Sequence, residues 1–189
     1  MKSFYFAVLS LTLLIPLQSP AASKVAESMQ KKLDFIEKNG AASHPNETPT
    51  VFSEDEVNGY LGSELVTLPA GVQSVHVSGE DGAVSGTAHI DFDQIKSGRH
   101  SSNPMLLIFS GTHDVQVNVH AHGQNHQGHV HVDSVLLDGV EIPEFILQLF
   151  VEKYLQPKYP DIGIDSQFAL PDKIDSAKIG EHVLTVIQK

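Results

Sequence analysis

The stretch from Ile142 to Leu155 most limits what this chain can fold into. Pro143 suits a first helical turn, where its missing N–H costs nothing. Glu144 and Lys153 carry the signs that a helix dipole favours at its start and its end, and Pro157 and Pro160 end the helix. Glu144, Gln148 and Glu152 make one polar stripe, while Phe145, Ile146, Leu147, Leu149, Phe150, Val151, Tyr154 and Leu155 are apolar. An ordinary surface helix hides a single stripe; this one needs cover around most of its circumference. It falls short of the roughly 20 apolar residues that cross a bilayer. The pattern therefore predicts a long apolar helix enclosed by a curved sheet, or by a sheet and a lipid.

The front of the chain reads differently. A short basic start, Met1-Lys2, precedes an apolar run from Phe4 to Leu17, and Ser19-Pro20-Ala21 supplies small residues for cleavage. These are the parts of a secretory signal peptide, Met1–Ala21, so the expected location is exported and periplasmic. With no cysteine, a lipoprotein anchor, disulfides and thiol chemistry are excluded. The remaining residues amount to one domain's worth of chain. The formal net charge of −11 makes nucleic acid and anionic headgroups poor partners.

Residues 22–51 read as an N-terminal helix and linker, with Val25, Met29, Leu33 and Ile36 at helical spacing and Asn39-Gly40 as the stop. Residues 52–189 read as a single domain. It opens on a short second helix, with Ser53 and Glu56 as a capping box and Phe52 stapled to Val57. Past Leu68 the period becomes two. Val72 to Ser78 and Ala83 to Phe92 are strands about a turn at Gly79–Gly82. Asp114 to His122 and His129 to Leu137 flank a loop at Gly123–Gly128, and a last hairpin runs from Lys173 to Ile187. The expected class is α+β: a strongly curved antiparallel sheet wrapped around one long apolar helix, with the short second helix and the N-terminal helix.

Five of the eleven histidines crowd one hairpin: His120, His122, His126, His129 and His131. A symmetric hairpin sets His122 against His129 and His120 against His131 on the solvent face, close enough to share a metal. A catalytic zinc would need a cleft and an open position, so this quartet stands only as an alternative metal-binding site. Protonation below about pH 6.5 is expected to loosen the hairpin by repulsion. No Gly-x-Ser-x-Gly elbow, cysteine nucleophile or phosphate loop is present; the carboxylates at Asp91/Asp93 read as a helix start or strand end, and those at Glu54–Glu56 as a helix cap. The chain is thus expected to be no enzyme and to need no cofactor.

Five segments carry a resemblance: Phe52 to Leu61 followed by Leu68 to Gly79, then Gly82 to Ala88, then Leu170 to Ile174 ahead of a strand ending Leu184-Thr185-Val186. In order and pattern they resemble the LmeA-like bacterial exported lipid-binding proteins, similar in turn to the tubular lipid-binding (TULIP) superfamily. The resemblance implies a sheet that encloses acyl chains, phospholipid or another lipid as partner, transient membrane contact and no catalysis. From periodicity, the expected lining is Tyr60, Leu61 and Leu65 on the short helix and Ile90, Phe92, Val117, Val119 and Val132 on the strands. Phe145, Ile146, Leu149, Phe150 and Tyr154 complete it on the long helix. The competing classes are a metal-binding protein using the histidine hairpin, and a structural or adaptor domain with a filled core.

Overall fold

The computed structural model describes residues 20–96 and 102–189, with side chains from Lys24 onward at the N-terminal end. The expected signal peptide lies almost wholly outside the described residues. Four strands form two hairpins: β2 (Val72–Glu80) with β3 (Ala83–Asp91), and β4 (Thr112–Gln124) with β5 (Gln127–Leu137). Together with β7 (Asp165–Ala169) they run antiparallel in the order β2-β3-β4-β5-β7, and the two-residue β6 (Val140–Glu141) folds back on the end of β5. The β4–β5 turn is Asn125-His126, with φ of 53° and 60°. Positive φ at both central residues is what a two-residue hairpin turn needs, and Asn tolerates it. The strands consequently run on past the glycines that sequence alone reads as loop boundaries.

One face of this sheet is apolar. Val84, Val119 and Val132 lie in register across three strands, and so do Ala88, Val115 and Leu137. A register slip between Asn118 and Val119 keeps the apolar side chains on that face along the long β4–β5 pair. The opposite face is polar and holds His76, His89, His120, His122, His129 and His131.

A further hairpin, β8 (Ile174–Gly180) and β9 (Val183–Gln188), joins with β1 (Thr50–Ser53) on its outer side. β8 runs across the tips of the first sheet. Gly123 pairs with Ala177, the Gly82 N–H donates to the Ile179 carbonyl at 3.1 Å, and the His126 N–H to the Asp175 carbonyl at 3.1 Å. A Cβ on Gly123 would sit 2.9 Å from the Ala177 Cβ, so this crossing requires glycine.

Helix α1 (Pro20–Gly40) lays Met29, Leu33 and Ile36 over Phe52 and Val186. A buried hydrogen bond from Asn39 to Gln188 (2.8 Å) ties its C-terminal end to β9. Helix α2 (Glu54–Leu61) begins with the expected capping box. The Asn58 side chain both donates to and accepts from the Val77 backbone, at 2.8 Å each way. It thereby satisfies the free edge of β2 as a neighbouring strand would.

The structure corrects the expected class. The sheet is a single open, nine-stranded antiparallel sheet, and no long apolar helix is wrapped by it among the described residues. From Glu144 the chain makes a seven-residue helix, α4 (Glu144–Phe150), then widens into a five-residue π turn, Val151–Leu155. This segment caps one end of the sheet beside the short α3 (Phe92–Lys96) and a 3₁₀ turn at Pro104–Leu106. Its excess of apolar residues is met by neighbouring aromatics on one side, and Phe145 is simply left 59% exposed. An over-apolar circumference demanded cover, but solvent exposure of a few large side chains is ordinary in folded proteins.

Candidate functional site

Eight of the thirteen expected lining residues meet in one packed cluster. Phe92, Phe150 and Tyr154 are buried there with Phe109, and Ile90, Val117, Val132, Ile146 and Leu149 pack against them. Phe150 sits 5.5 Å from Phe92 in an edge-on pair, 4.3 Å from Phe109 and 5.2 Å from Tyr154. Side chains fill the space on these sides of Phe150. Val119 lies one step along the strand and is half-buried. Tyr60 and Leu61 are half-buried on α2, away from that cluster, and Leu65 beyond it is exposed.

An open apolar space lies elsewhere. A cavity of about 230 Å³ is lined by Phe52 on β1, Val57 on α2, Val77 and Val84 on the first sheet, and Ile179, Val183 and Leu184 on the β8–β9 hairpin. It lies where β8 crosses the sheet tips, between the cluster under α1 and the sheet's apolar face. Past it along that face, Val119, Ala121 and Val130 remain half-buried, whereas Val115, Val135 and Leu137 at the other end are buried. None of the thirteen residues lines this cavity. Phe52, Val57 and Val84 carried a visible signal as staple and inner-face positions, but their proximity to Leu184 depends on a crossing that local periodicity does not encode.

The cavity's mouth is polar. One Glu54 oxygen, Oε2, accepts from His182 Nδ1 (2.8 Å), the Gly79 N–H (2.9 Å) and Ser78 Oγ (3.1 Å). The hydrogen bond from His182 holds the Glu54 carboxyl below its usual range, and the same bond raises the His182 imidazole. Glu181 and Glu80 also face His182 and add to the rise. Stability from the lowered carboxyl is present above its ordinary value of 4.5, and that from the raised imidazole is complete below 6.5. The deficit of a His182→Gln variant is therefore expected to be greatest between those values and to shrink as pH rises through the raised imidazole pKa. Denaturant titrations at pH 5.5 and 8.5 read this directly, and an equal deficit at both contradicts the pairing.

The sheet carries further imidazole–carboxylate pairs, those of His89, His120 and His131 on its polar face and that of His113 beside Phe92. His89, His113, His120 and His131 bring Nδ1 to within 2.6–2.7 Å of Asp114, Asp138, Asp133 and Asp165 respectively. An ionised carboxylate only accepts, so each Nδ1 carries the proton. Asp138 and Asp165 raise the imidazoles of His113 and His131 through these bonds. Protonation of His131 is thus supported by a counter-charge, where repulsion is the expectation for the hairpin from its sequence. The rings of His122 and His129 stack at 5.0 Å and 15°. Among the described residues, no three His, Asp or Glu side chains converge as a metal-ligand set, and no helix is long and apolar enough to cross a membrane. No protein-family model, curated protein or solved structure matches this chain.

Proposed function

We propose that this chain is a non-catalytic, exported binding protein that takes one acyl chain of a lipid into the cavity between α2, the β2–β3 hairpin and the β8–β9 hairpin. The observation that carries this reading is the cavity itself: seven apolar side chains from six elements surround about 230 Å³ of open space. Sites for whole drug-sized ligands run to about 300–1,000 Å³. This one suits part of a single hydrocarbon chain, and the two chains of a phospholipid exceed it. Each methylene buried contributes about 0.8 kcal/mol, and the half-buried strip at Val119, Ala121 and Val130 extends the apolar track beyond the cavity. Glu54 and His182 at the mouth keep the polar end of the ligand at the surface. The signal-peptide pattern supports export, and the acidic net charge supports release from anionic membranes over adherence to them.

The test is uptake of a fluorescent fatty acid by delipidated protein. Val84→Phe is expected to fill the cavity, to retain the wild-type circular dichroism spectrum and to weaken uptake at least tenfold. Wild-type protein that takes up no probe, or a folded Val84→Phe variant that binds as well as wild type, overturns the proposal.

A further inference from the structure

The histidines on the opposite face of the sheet supply a second chemistry. His122 pairs directly across the hairpin with His129, and His120 with His131, so two His-x-His runs share one face. The His122 and His129 rings lie nearly parallel, 5.0 Å between centres, and neither is hydrogen-bonded among the described residues. The flanking pair differs. His120 Nδ1 is held by Asp133 at 2.7 Å and His131 Nδ1 by Asp165 at 2.6 Å. The carboxylates of Asp133 and Asp165 engage the flanking imidazoles, which leaves His122 and His129 as the cross-strand pair with unengaged rings. Asp133 also lies 4.0 Å from His131 Nε2, so its carboxylate stands between the two flanking imidazoles.

We infer that this hairpin face binds one divalent transition-metal ion, with His122 and His129 as a two-imidazole cross-strand clamp and water completing the coordination. Zn–N bonds of about 2.0–2.1 Å need ligand nitrogens closer together than two stacked rings offer. Binding therefore tilts His122 and His129 out of their stack and towards each other. His122 is exposed and His129 half-buried, so side-chain rotation suffices and the strands stay in place. Nitrogen-rich ligation at a partly open site favours Cu²⁺ over Ni²⁺ and Zn²⁺. Site and ion lie on the face opposite the apolar cavity, so the inference stands or falls independently of acyl-chain binding.

Titration of the full chain, free of any affinity tag, with CuCl₂ tests it, read by electron paramagnetic resonance and calorimetry. One Cu²⁺ per chain with nitrogen superhyperfine structure is expected. The double variant His122→Asn/His129→Asn should lose at least tenfold in affinity with an unchanged circular dichroism spectrum. His44→Asn in the α1–β1 loop should stay at wild type. Affinity should fall below about pH 6 as protons compete for the imidazoles. A double variant that binds as tightly as wild type, or a spectrum without nitrogen coupling, overturns the inference.

Discussion

Phe150→Ala is expected to destabilise the protein by about 3–5 kcal/mol, the range for removing a large aromatic from a packed core. Phe150 is 4% exposed and touches Phe92, Phe109 and Tyr154, so its loss opens a void ringed by three aromatic side chains. In a chain of this length, each kcal/mol moves the melting midpoint by about 2–4 °C, so a drop on the order of 10 °C should appear in calorimetry. Phe145→Ala, five residues earlier on the same helix, removes a side chain that is 59% exposed. It is expected to cost within about 0.5 kcal/mol. Equal costs at the two positions would contradict the packing described for this end of the sheet.

Glu56→Gln should cost about 2–3 kcal/mol at neutral pH. Burial works against the charge of this carboxylate. It is outweighed by hydrogen bonds from Lys32 Nζ at 2.6 Å, Ser28 Oγ at 2.5 Å and the Ser53 N–H at 2.9 Å, which together hold the pKa down to about 2. The group joins α1 to α2 and closes the capping box at Ser53. Because its pKa is lowered from 4.5, the stability it contributes is complete above that value and is lost as pH falls towards 2. The difference between wild type and Glu56→Gln should accordingly be largest at pH 7 and mostly gone near pH 2.5, as read by denaturant titration at both. A difference that persists in acid shows that the amide fails for a reason other than lost charge.

Local chemistry made much of the molecule legible in the sequence. The capping box of Ser53 and Glu56 is a three-residue relation, and it forms as read. His122 opposite His129 and His120 opposite His131 follow from strand alternation and turn symmetry, and the register holds. The carboxylates that hold those histidines were not legible in the same way. Asp165 reaches His131 from β7, 34 residues on, along a stretch whose composition does not mark a strand. β1 is likewise not legible, because its four residues become a strand only by pairing with β9 at the far end of the chain.

By itself the sequence determined where the chain alternates, where its helices begin, which sheet face is apolar and which face bears the imidazoles. These depend on neighbours a few residues apart, through backbone geometry and side-chain period. Only the tertiary structure decided the fate of the apolar surplus. The segment after Pro143 closes on Phe92 and Phe109 instead of lying inside a wrapped sheet, and the uncovered apolar space opens around Val84 and Leu184. That space exists because β8 crosses the sheet tips at Gly123, pairing it with Ala177 far along the chain. Hydrophobic burial drives such closures but is non-directional. Periodicity could therefore name the surfaces that need cover, and long-range contacts selected what covers each.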